Sequence, residues 1–193
     1  MAARLAEHLQ VLDPILVTVH HIGSTAVPGL TAKPIIDLMP LVTDLSGLDR
    51  QQLRVEALGY GWHGEFGMPG RRYCTLSNGA GIRIAQLHFF EAGSPHATRH
   101  IAFRDYLRTH PAAARAYADE KRRARDLHPA DSHAYSDEKA TWVAEMEIKA
   151  LTWFQGGSSI TSGLIRGEVQ TTVRYVCSLD ALARRRSYAI RGR

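Results

Sequence analysis

His21-Ile-Gly-Ser-Thr-Ala-Val-Pro-Gly-Leu-Thr-Ala-Lys-Pro-Ile-Ile-Asp37 decides the fold, because it passes from a Gly-Ser turn straight into an apolar strand carrying one acid. Upstream, Ile15, Leu16, Val17 and Val19 form a short β-prone run, and Gly23 and Ser24 mark the turn. Glycine lets a backbone come close to a ligand, and N–H groups beside a serine hydroxyl suit an anion. Downstream, Ile35, Ile36, Leu38, Met39, Leu41 and Val42 read as a strand buried on both faces, so Asp37 is an isolated carboxylate in an apolar run. A buried carboxylate needs a base, a hydrogen-bond donor or a metal beside it. The layout is that of a phosphate-handling site.

Working outward, Ala2 to Leu12 reads as a helix with Leu5, Leu9 and Leu12 on one face, ended by Asp13-Pro14. After the Asp37 strand, Ser46 is placed to cap a helix running to Leu58. Gly59, Gly61 and Gly64 match a dinucleotide glycine pattern in spacing but lie between a helix and a loop, where that pattern has no use. Strands near 71–76 and 82–90 flank a turn at Asn78-Gly79. Alternation puts Ile82, Ile84, Gln86, His88 and Phe90 on one face of the second strand and Arg83, Ala85, Leu87, Phe89 and Glu91 on the other. Beside the Asp37 strand, His88 or Glu91 can complete a metal or acid–base site; equally, His88 can be a core histidine and Glu91 a solvated strand end.

Ser94-Pro95 starts a helix to His110, which carries His96 and His100 four apart, and Pro111 opens the next. A zinc reading of the histidine pair lacks a third ligand, whereas His100 and Arg104 can turn toward a phosphate. The run Asp119 to Arg123 reads as a solvated face with Asp119–Arg123 and Arg122–Asp126 pairs. From His133, the stripe Tyr135, Trp142, Val143, Met146, Ile148, Leu151 and Phe154 is core.

Composition bounds what the chain can be. Its 193 residues, 45% hydrophobic and 22% charged, support one ordinary core. No apolar run is long enough to span a membrane and no export signal precedes the first helix, which points to the cytoplasm. Cys74 and Cys177 suggest neither a disulfide framework nor a zinc site. The net charge of +5 invites a nucleic-acid reading, but residues 1–163 hold 17 basic and 17 acidic side chains. The excess lies in seven arginines of residues 164–193, beyond Gly156-Gly157-Ser158-Ser159, which reads as a linker to a poorly ordered tail. Nucleic-acid binding is therefore not expected of the core domain. A lysine-serine loop to accompany His21-Ile-Gly-Ser, a Gly-x-x-x-x-Gly-Lys-Ser/Thr loop and a Gly-x-Ser-x-Gly elbow are all absent, which argues against a tRNA synthetase, a P-loop kinase and a serine hydrolase.

The string from His21 to Leu38 resembles the signature of the GrpB family, placed in the nucleotidyltransferase superfamily. The likeness continues through residues 64–73, 87–95 and 99–111 and on to about Leu151. The resemblance implies an α/β (α+β), nucleotidyltransferase-like mixed sheet over residues 1–155, with flanking helices largely on one side and a helical C-terminal half; residues 156–193 are linker and tail. GrpB-like proteins carry an extended segment before the first helix, which this chain lacks, so that one sheet edge is expected to be weaker or Met1 not the natural start. By the same resemblance, Gly23, Ser24 and Thr25 hold the phosphates of an NTP and Asp37 is both catalytic residue and Mg²⁺ ligand. Lys33, Arg71, Arg72 and Arg83 steady negative charge, and His21, His88, Glu91, His100 and Arg104 complete the list of candidates. The superfamily pattern asks for a second acid two positions after Asp37, where this chain has Met39. Related domains are fused to dephospho-coenzyme A kinase, which implies an alternative: a non-catalytic folding or interaction module with that kinase as partner.

Overall fold

In the computed structural model, which describes residues 1–158, the quoted stretch becomes a strand, a tight turn and a second strand. Strand β1 (Leu16–Ile22) runs antiparallel to β2 (Ile36–Val42), with Ile22 opposite Asp37, and a single 3-10 turn at Ser24–Ala26 follows β1. Three further strands, β3 (Gly61–Trp62), β4 (Arg72–Ser77) and β5 (Arg83–Glu91), complete a mixed five-stranded sheet in the order β1-β2-β5-β4-β3. β5 lies parallel to β2 with Gln86 opposite Asp37, and antiparallel to β4 with His88 opposite Tyr73. The turn between β4 and β5 is held by Asn78, whose Oδ1 accepts from the backbone N–H groups of Ala80 and Ile82 at 3.0 Å.

Alternation along β2 and β5 divides the core in two. One face sends Leu38, Val42, Leu87 and Phe89 against Leu9, Leu12, Leu48 and Val55, from helix α1 (Ala2–His8) with its 3-10 extension, α2 (Leu45–Arg50) and α3 (Gln52–Ala57). The opposite face sends Ile22, Met39, Leu41 and Phe90 against Ala97 of α4 (Pro95–Thr109). Helices thus cover both faces, not largely one: β2 and β5 are apolar at successive positions, and each face needs its own cover. The helix cap near residue 46 also differs from the sequence expectation. Asp44 is the capping residue, its carboxylate accepting from Gly47 N–H at 2.5 Å, and the chain breaks at Gln51 into two short helices.

Ser94 caps α4 as its sequence predicts, accepting from His96 N–H at 3.3 Å, and Pro111 opens α5 (Pro111–Leu127). Helix α6 (Ser132–Glu138) and helix α7 (Ala140–Ser158) follow, and α4 packs along α7 with an Arg99–Glu147 ion pair at 2.5 Å. A third apolar cluster, Val27, Leu107 and Tyr117 with Trp142 and Val143 against them, ties the turn after β1 to α4, α5 and α7. Helix α7 continues through Gly156 and Gly157, where the composition predicts a linker; Cys177 and the rest of the expected linker and tail lie outside the described residues. Among the described residues no helix is long and apolar enough to cross a membrane.

Candidate functional site

Gly23 makes the site possible. It has φ +70°, and a Cβ built there would lie 2.5 Å from Asp37 Oδ2 and 3.0 Å from its Cβ and Cγ. Only glycine combines that left-handed backbone with so close an approach. The carboxylate of Asp37 therefore rests against the turn, three-quarters buried, while its Oδ1 is 3.6 Å from His88 Nε2 on β5. His88 Nδ1 is buried without a hydrogen-bond partner among the described residues.

The turn itself is fastened from several sides. Arg104, held by both carboxylate oxygens of Asp105 at 2.7 and 2.9 Å, donates to His21 O at 3.1 Å, and Arg108 donates to Ala26 O at 2.8 Å. His21 Nε2 meets Thr25 Oγ1 at 2.9 Å, and that hydroxyl in turn donates to Ile35 O at 3.4 Å. Burial first, and then the charge of Arg108, lower the His21 pKa. A neutral imidazole donating from Nε2 to the Thr25 oxygen fits both facts. His21, Thr25 and Arg104 thus brace the turn.

Lys121 of α5 reaches the same place. Its ammonium donates to Ser24 Oγ at 2.9 Å and to Thr31 O at 2.7 Å, and lies 5.3 Å from the centre of the Tyr117 ring. Burial, with the neighbouring charge of Lys139, brings its pKa down to about 8, although Asp37 acts to raise it. Beside it is a cavity of about 280 Å³ between residues 31–33, α5 and residues 128–135. The wall carries Lys33, Lys121, Arg122, Arg125 and His128, and no carboxylate. Arg122 is paired with Asp119 and Arg125 with Asp126, and His128 Nε2 lies 3.6 Å from a Glu138 carboxylate oxygen. Lys33 lies 5.9 Å over the Tyr135 ring and, like Lys121, makes no ion pair among the described residues.

The remaining candidates fall into two groups. Arg71 and Arg83 converge on Tyr73, which is opposite His88. The Arg71 guanidinium lies 5.1 Å from the ring centre, and Arg83 donates to the hydroxyl at 3.5 Å. That hydroxyl donates to Gln86 Oε1 at 2.5 Å, and the Tyr73 and His88 rings are 5.3 Å apart. Arg72 and Glu91 lie elsewhere. Arg72 points to the opposite face, where it forms a two-pronged pair with Asp49 of α2 at 2.6 and 2.7 Å, because residues adjacent in a strand face opposite ways. Glu91 is at the far end of β5, opposite Val42, and accepts from Leu45 N–H at 3.0 Å at the start of α2. Neither reaches Asp37.

His100 is in contact with His88, 6.1 Å between rings, and with Phe90 at 5.9 Å. Burial, then Arg99, holds its pKa well below the usual histidine range, so it is a neutral packing group. His96 stacks on Phe90 at 5.5 Å. Among the described residues no three His, Cys, Asp or Glu side chains are grouped as a metal site. The Mg²⁺ that the family resemblance implies does not fit this donor set as a protein-held ion. Among the described residues Asp37 has no second carboxylate grouped with it, the group 3.6 Å from its Oδ1 is the His88 imidazole, which is a poor ligand for a hard cation, and Met39 is completely buried under α4.

Sequence reading missed Lys121, Tyr117, Tyr73 and Gln86. A signal for Lys121 was present. Tyr117, Lys121 and Ala124 are spaced to share one side of α5, and Tyr117 and Ala124 are both buried.

A family model described as GrpB protein matches residues 1–149. The UPF0157 protein YqkA of Bacillus subtilis is 36% identical over 155 residues, which are 80% of this chain and 45% of that protein. The UPF0157 protein PA4798 of Pseudomonas aeruginosa is 38% identical over 161 residues, 81% of this chain and 64% of that one. The chain therefore spans about half to two-thirds of the length of these relatives. The crystal structure of conserved protein GrpB from Enterococcus faecalis matches with a TM-score of 0.74 at 35% identity, covering 80% of this chain and 92% of that one.

Proposed function

The chain belongs to the GrpB family, and from that premise we propose that it binds a phosphorylated small molecule, a nucleotide foremost, at the Gly23-Ser24 turn and the basic cavity beside it. The observation that carries this reading is Lys121, a partly buried cation that is hydrogen-bonded to Ser24 and fronts a cavity walled by basic groups without a carboxylate. An ammonium group has three donors, and Lys121 uses two on Ser24 and Thr31. A phosphate oxygen takes the third and offsets the cost of keeping that charge partly out of water. Lys33 adds a second positive group on the same wall. Arg71 and Arg83, gathered around Tyr73, stand on the Asp37 side, where a second part of the ligand would lie.

Nucleotidyl transfer asks more of the site than binding does, because a two-ion clamp needs paired carboxylates. The buried Met39 supplies none, and it favours a second reading in which the fold persists as a non-catalytic module with a protein partner, the role implied by domains fused to dephospho-coenzyme A kinase. Melting temperature separates the two. A ligand that binds only the folded state raises it. The binding reading predicts a rise with at least one of the four NTPs, measured with and without Mg²⁺ or Mn²⁺. No rise with any of them at millimolar concentration contradicts it and leaves the module.

A further inference from the structure

We propose that Lys121, with Lys33, takes the place of a divalent metal in this site, so that phosphate binding here is metal-independent. This rests on the phosphate-binding reading above and specifies how that site is charged. Three observations lead to it. First, the position that would supply a second carboxylate is closed. Met39 is completely buried among Ile22, Leu41, Phe90 and Ala97, so no side chain there meets solvent or ligand. Second, the remaining carboxylate has no acidic companion among the described residues. One oxygen of Asp37 abuts Gly23 and the other faces His88 Nε2, so a hard cation meets an imidazole there rather than a second carboxylate. Third, the charge that a metal would bring is present in the protein. On the cavity wall the two lysines make no ion pair among the described residues, and their combined formal charge of about +2 equals that of a Mg²⁺ ion.

The electrostatics point the same way. A divalent ion entering this cavity meets ammonium groups and guanidinium groups already paired with acids, whereas a phosphate meets the two lysines, which make no ion pair among the described residues. Ser24, whose hydroxyl accepts from Lys121, holds the ammonium at the mouth of the turn and fixes its reach. Lysine acts there as a point charge with rotatable donors, which suits the three-fold end of a phosphate.

Calorimetric titration of the full chain with inorganic pyrophosphate tests this, once in EDTA and once with excess Mg²⁺. The expected result is an affinity in EDTA at least equal to that with Mg²⁺, to within about twofold. Lys121→Met is expected to weaken binding by about tenfold or more in both conditions. Binding that requires Mg²⁺ overturns the inference while the phosphate-binding reading stands. Absence of any binding by the wild type in both conditions overturns both. The EDTA comparison uses the unaltered protein, so it holds whatever Lys121→Met does to folding.

Discussion

Asp37 and Met39 lie two residues apart on the same face of one strand, yet one keeps a quarter of its side chain exposed and the other is sealed. The difference comes from what lies above each. Over Met39 runs α4, with Ala97 packing down beside Phe90 and Leu41. Next to Asp37 is the Gly23 turn, where the absence of a side chain leaves room for the carboxylate. A sheet face that is core at one end and polar at the other places a charged group beside the ligand without exposing the core. The same strand therefore carries both stability and function, and the boundary on this face falls between Asp37 and Met39.

That boundary can be attacked from either side. The largest effect is expected from Met39→Asp, which introduces a second acid two positions after Asp37. An unpaired charge buried there should cost about 4 kcal/mol or more. Urea denaturation should report that loss as a lower midpoint with no gain of Mg²⁺-dependent binding. Full stability with new metal binding would mean that the closed end can open. Gly23→Ala probes the other side and should cost about 1–3 kcal/mol from backbone strain, with further loss as Asp37 is displaced. The melting temperature should fall and nucleotide binding with it; an alanine variant that binds normally would separate the turn from the site.

The fold was legible in the sequence where local signals agreed with tertiary need. The turn after β1, the apolar run of β2, the Ser94 cap and Pro111 each carry a backbone preference that nothing else in the structure opposes. The proximity of His88 to Asp37 followed once β5 was placed beside β2. Arg72 was misread because its neighbours in sequence do face the site; strand alternation turns it toward Asp49. The loss of Ser46 to Asp44 as helix cap is a choice between two good capping residues two positions apart. Lys121 was hidden inside a charged run whose other members do pair on the surface, Arg122 with Asp119 and Arg123 with Glu120 and Glu138. Its role depends on the α5–turn contact, a separation of 97 residues that no local pattern encodes.

A further prediction concerns protons. Lys121 titrates at about 8 in the folded protein against an ordinary value of 10.5, because burial and Lys139 oppose its charge more than Asp37 supports it. A base with a lowered folded pKa binds its proton less readily folded than unfolded, so this group penalises folding below about pH 8 and the penalty is relieved between pH 8 and 10.5. Phosphate binding needs the ammonium form and runs the other way, weakening as pH rises through about 8. Titrations across that range on wild type and Lys121→Met should show the opposed slopes in the wild type alone; identical slopes in both would assign the titration to another group.

The most direct test of a binding site at the open end of this sheet face is to map backbone amide chemical shifts as pyrophosphate is added. The account predicts changes concentrated at residues 23–25, 31–33 and around Lys121, with the Met39–Val42 end of β2 unmoved. Shifts that are absent at millimolar ligand, or that gather on the Arg72–Asp49 face, would contradict it.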